Sequence, residues 1–254
     1  MKRKINIVLT AIFLAASNSL LAQQPVKSST DSLATIKPNV FDFNTLKVEG
    51  PVDVVMVQGQ TESLKLTVPA EVKDRVIAEV EGHTLHIRNK HDNWSQGEKS
   101  WYGDKSVWQK KHYRITAYLT FKSLEKINLS GSGTMVFDQG INSDHLSLTV
   151  RGSGSMHGKI TTKDLLSKVS GSGSIDITGN ADHSMVNVAG SGNFTASKLV
   201  TSDSNVKVSG SGDAKVNASE LLYAAVSGSG VVGYTGSVTK INSNKSGSGQ
   251  ISRL

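Results

Sequence analysis

The chain has 254 residues, no cysteine and a formal charge of +7. The lack of cysteine excludes disulfides, thiolate metal sites and a lipid-anchored N-terminal cysteine. Lys2, Arg3 and Lys4 supply part of the charge, and what remains is too weakly basic to argue for nucleic acid as a partner.

The N-terminus reads as an export signal over residues 1–22. A basic start precedes an apolar run from Ile5 to Ala16, and Leu20-Leu21-Ala22 offers a cleavage site before Gln23. The run is too short for a stable membrane span, so none is expected after its removal. Residues 23–38 are rich in Ser, Thr, Lys and Pro without periodicity, and read as a disordered tether.

From 39 to 126 the chain reads as an N-terminal β region packed on the first coils of a C-terminal repeat. Leu46 to Val48, Val52 to Val57 and Leu64 to Val68 alternate as strands, and Pro69 to Asp74 suits a short helical turn. Val76 to Val80 and Leu85 to Ile87 flank Glu81-Gly82-His83 as a hairpin. Arg114 to Phe121 is a further strand. Between these lies His91 to Tyr113, too long for an ordinary connection. It contains every tryptophan of the chain. Trp94, Trp101, Tyr102, Trp108, Lys110 and Lys111 are the candidate binding residues, because rings stack on sugar faces and lysines meet acidic groups. The same aromatics would equally serve to pack a long hairpin on the body, and that plainer reading is weighted above the binding one.

From 127 to 254 one motif dominates. Gly-Ser-Gly begins at Gly131, Gly152, Gly171, Gly190, Gly210, Gly228 and Gly247. The mean spacing of about 19 residues falls in the range of stacked-coil repeats. Two and four residues before each first glycine, and four and six after it, the residues are mostly apolar. Val188, Val186, Phe194 and Ala196 do this around Gly190. The intervening positions are polar, with Ala225, Val136 and Val231 as exceptions. Such alternation marks strands with one buried face. Both glycines fall on the inward parity, so Gly-Ser-Gly reads as a bend in a coil wall with its serine outward. Single coils cannot bury an apolar face and must stack. The expected fold is all-β: a right-handed parallel β-helix of about seven coils. Ser243, Lys245 and Arg253 replace apolar columns in the last copy, as suits a polar cap on an open edge.

The strand pattern from Phe43 to Ile87, with Val-Glu-Gly and Val-Asp-Val-Val-Met-Val-Gln-Gly, leads to Leu-x-x-Ile-x-Leu-Ser-Gly-Ser-Gly. It resembles the putative auto-transporter adhesin, head GIN domain family over residues 39–250. The resemblance implies a β-helical exported protein and carries no catalytic residues.

Other chemistry is thin. His157 and Asp176 fall on one outward column and would meet in adjacent coils, but a single such pair is more often a surface contact. No outward column is expected to stack two carboxylates, as a polysaccharide-cleaving site would need. His83, His86, His91 and His112 read as surface histidines rather than a metal site. No cofactor and no metal is expected. The function expected is that of an exported, non-enzymatic protein presenting a binding surface, in adhesion or envelope organisation. The alternative is a polysaccharide-binding or polysaccharide-degrading protein. The expected partner is a glycan or an envelope protein. The expected location is the periplasm, the outer-membrane surface or the medium.

Overall fold

The computed structural model describes residues 32–90 and 114–254. Residues 31–254 form one compact unit. Its strands are β1 (Leu33–Ile36), β2 (Thr45–Glu49), β3 (Val52–Gln58), β4 (Ser63–Pro69), β5 (Val76–Glu81), β6 (Thr84–Asn89), β7 (Ile115–Phe121) and β8 (Lys126–Gly131). Then come β9 (Thr134–Gly152), β10 (Ser155–Gly171), β11 (Ser174–Gly190), β12 (Asn193–Gly210) and β13 (Asp213–Gly228). The chain ends with β14 (Val231–Thr235), β15 (Lys240–Ser246) and β16 (Gln250–Arg253). A short 3-10 turn, Ala70–Arg75, sits between β4 and β5.

The long strands each make one coil of a parallel β-solenoid. Val169 pairs with Val150 on one side and Val188 on the other, and Val188 with Val208. Each apolar column therefore stacks on itself. Met135, Met156, Ile175, Phe194, Ala214 and Val232 are all buried, as is the run from Leu129 to Val226 two residues before each bend. At roughly 25 cal/mol per Å² of apolar surface buried, such columns dominate the stability of the solenoid.

One expectation is corrected. The second glycines, such as Gly173 and Gly192, are buried, but the first ones are not. Gly171 has φ +108 and Gly190 φ +107, so the chain turns there and the inward parity is broken before it resumes. The Ser191 N–H donates to the Gly171 carbonyl at 2.9 Å, continuing the ladder across the bend.

The N-terminal strands continue the solenoid. β2 pairs in parallel with β8, placing Leu46 on Ile127 and Val48 on Leu129. β3 meets β9 with Val54 on Met135. Gly50, at φ +97, takes the bend position between them, and its N–H donates to the Ser130 carbonyl. Glu49-Gly50-Pro51 is thus a further coil bend in which Pro51 stands where serine stands elsewhere. One level on, β6 pairs with β2 and β7 with β3. Finally, β1 pairs antiparallel with β4, which pairs antiparallel with β7. Residues 33–36, expected within the tether, are therefore an edge strand.

The final coil is polar as expected. Ser243, Lys245 and Arg253 are exposed on β15 and β16. No described helix is long and apolar enough to cross a membrane.

Candidate functional site

The main concave surface among the described residues runs along one corner of the solenoid, across successive coils. It comes from the segment five to seven residues before each bend. Five residues before, the row Lys126, Ser147, Leu166, Met185, Asn205 and Tyr223 stacks in register. Met185 is 49% exposed and Tyr223 45%, unusual for large side chains on the wall of a packed coil. The neighbouring row, Leu146, Leu165, Ser184, Ser204 and Leu222, lies deeper and is buried. All of these except Leu222 line a groove of about 600 Å³ with a mainly apolar surface.

The buried hydroxyls of the deeper row satisfy one another. The Ser184 and Ser204 hydroxyls lie 2.8 Å apart, Ser204 is 2.8 Å from the Thr201 hydroxyl, and Thr201 donates to the Asn217 carbonyl at 2.8 Å. Polar groups so paired have no need of a ligand.

Seven residues before each bend runs the rim. His145, Asp164, His183 and Asp203 occupy successive coils in register. His145 Nδ1 lies 2.8 Å from Asp164 Oδ2, and His183 Nδ1 lies 3.1 Å from Asp203 Oδ2. These groups are largely exposed, so each pair contributes about 1 kcal/mol at most. Their effect is to hold the side chains in an upright wall beside the apolar floor. Lys163 and Asp144, 3.1 Å apart, continue the charged surface one residue further out.

Neither the groove nor this rim was expected from the sequence. The serine, asparagine and leucine of the third segment break strict alternation and hid the register. Counting back seven residues from each first glycine finds His145, Asp164, His183 and Asp203 at once.

The candidate binding residues Trp94, Trp101, Tyr102, Trp108, Lys110 and Lys111 lie outside the described residues, as do His91 and His112. His157 and Asp176 stand opposite each other in register, as their column implied. His83, in the turn of the β5–β6 hairpin, lies 3.3 Å from Asp42. Among the described residues, no three His, Cys, Asp or Glu side chains are placed to hold a metal.

Residues 42–238 match the family model described as putative auto-transporter adhesin, head GIN domain. The chain belongs to this family. As a head GIN domain protein it is an adhesin-like β-helical protein. A putative adhesin from Bacteroides fragilis shares its fold with a TM-score of 0.74 at 23% identity, over 89% of this chain and 98% of the other. A putative lipid binding protein from Parabacteroides distasonis has a TM-score of 0.68 at 22% identity, over 89% and 98%. A putative adhesin from Parabacteroides merdae has 0.67 at 19%, over 89% and 97%. At these identities the likeness is one of fold. No curated protein matches the chain.

Proposed function

We propose that this head GIN domain protein is exported, that it is not an enzyme, and that its solenoid presents the corner groove as a binding surface for adhesion or envelope organisation. The observation that carries the reading is the open apolar groove spanning several coils. Binding sites are typically pre-formed concave surfaces lined mainly by apolar side chains with a few polar groups at the edge. The groove is built on stacked strands, so its shape is set before any ligand arrives and little ordering cost is spent on binding. The rim supports the same reading, since its carboxylates are engaged by imidazoles and act as a wall.

Two measurements test this. N-terminal sequencing of the protein recovered from the cell envelope or medium is expected to begin at Gln23, and recovery of the uncleaved chain from the cytoplasm alone overturns export. Beads coated with the protein are expected to adhere to envelope material or to cells, and Met185→Asp is expected to reduce that adherence at least tenfold. Adherence unchanged in the folded variant overturns the groove as the binding surface. Turnover of a polysaccharide by the purified protein overturns the non-enzymatic reading.

A further inference from the structure

We propose that the groove holds the hydrocarbon tail of a single-chain amphiphile, laid along the solenoid axis with its head at the His/Asp rim. This rests on the groove being the binding surface.

Shape is the first argument. From Lys126 to Tyr223 the floor row crosses five coil intervals. At ~4.8 Å per interval the row is ~24 Å long. The groove is thus an elongated lane along the solenoid axis, long enough for an extended acyl chain.

The hydrogen-bond inventory is the second. A peptide laid over the middle of the lane would face Leu146, Leu165, Leu166 and Met185 with its own N–H and C=O groups, and the Ser184 and Ser204 hydroxyls beneath are already paired. Lys126, Ser147, Asn205 and Tyr223 are the polar side chains of the floor row that face a ligand. A peptide or a glycan would desolvate more polar groups over the leucines and Met185 than these few can re-pair. A hydrocarbon tail brings none, and Met185 is the adaptable side chain that suits such a surface.

Charge is the third. The groove is lined by three carboxylates, Glu125, Asp164 and Asp203, against one lysine, Lys126, and the imidazoles of His145 and His183 that pair with the two aspartates. This disfavours an anionic head and suits a zwitterionic or cationic one.

The test is calorimetric titration of the whole chain with 1-palmitoyl-lysophosphatidylcholine below its micelle concentration, beside the folded variant Met185→Asp. The portion of binding removed by the substitution belongs to the groove, whatever the N-terminal apolar run contributes. Saturable binding is expected, weakened at least tenfold in Met185→Asp. Shortening the tail is expected to weaken it about tenfold for every two methylenes removed. Palmitate, with an anionic head, is expected to bind less tightly. Equal binding by variant and wild type, or affinity indifferent to tail length, overturns the proposal. If the wild type ignores the amphiphile while Met185→Asp still abolishes adherence to cells, the acyl-chain assignment falls and the groove remains the binding surface.

Discussion

A Cβ atom added to Gly190 would lie 2.6 Å from the carbonyl oxygen of Gly171, one coil away. The Ser191 N–H uses that same oxygen as its acceptor. Glycine at the bend therefore answers two demands at once: a left-handed φ of +107 and a backbone that must pass directly against its neighbour. Gly190→Ala is expected to cost about 3 kcal/mol, combining the left-handed penalty with overpacking. Ser191→Ala, on an exposed side chain, is expected to stay within ~0.5 kcal/mol. Denaturant melts of the two variants check this, and the reverse order would refute the stacked-bend account.

The bend ladder also shows how far the sequence could be read. The seven Gly-Ser-Gly copies expose the solenoid because each keeps its apolar neighbours at fixed even offsets. Gly50 belongs to the same ladder, since a Cβ on Gly131 would meet the Gly50 carbonyl oxygen at 2.5 Å. It was missed because Pro51 and Val52 replace the serine and second glycine, although Leu46, Val48, Val54 and Met56 keep the offsets. The groove was harder to find. Its rows keep the period of two in burial, but residue type does not follow it: Ser184 and Ser204 are buried, while Leu166 and Met185 stand on the outward row. Apolar and polar residues therefore do not alternate there, and the pattern is lost in the sequence. The register fixed by the bends recovers it.

The columns should respond to charge according to face. Val188 is 1% exposed, between Val169 and Val208 in the neighbouring coils. Val188→Asp would bury a carboxylate among methyl groups with no partner, and is expected to cost ~3 kcal/mol or more. Asn187 is adjacent in sequence but on the outer parity, beside Lys168 and Lys207 in register. Asn187→Asp is expected to change stability by less than ~0.5 kcal/mol, because a half-exposed charge with lysine neighbours is nearly neutral. Thermal melts with a shared baseline separate the two, and equal tolerance would contradict the register.

Gln58 offers a test at the end of β3. Its Nε2 donates to the Lys122 carbonyl at 2.9 Å and the Asn142 carbonyl at 3.0 Å, while its Oε1 accepts the Asn142 N–H at 2.8 Å. The side-chain amide thus behaves as one more strand residue joining two coils. Gln58→Ala is expected to cost roughly 1–2 kcal/mol. Gln58→Glu is expected to be worse, since it sets an acceptor against two carbonyl oxygens that have lost their donor. Hydrogen exchange at the Asn142 amide should rise most in Gln58→Ala, which loses the Oε1 acceptor that Gln58→Glu keeps. A Glu variant as stable as wild type would show that these bonds contribute nothing.

Two buried serines should respond in opposite directions to the same substitution. Ser167 occupies an inward column between Leu148 and Val186, and its hydroxyl has no hydrogen-bond partner. Ser204 is equally buried, but its hydroxyl bonds both Ser184 and Thr201. A buried hydroxyl without a partner carries a desolvation cost that nothing repays, so Ser167→Ala is expected to stabilise the protein by about 1 kcal/mol. Ser167→Val should do at least as well if the column has room for the valine found at its neighbour. Ser204→Ala removes one member of a closed chain and strands the Ser184 hydroxyl, so it is expected to cost about 1–3 kcal/mol. Melting temperatures that rise for Ser167→Ala and fall for Ser204→Ala bear this out. A fall at both positions would mean that the Ser167 hydroxyl is satisfied in solution.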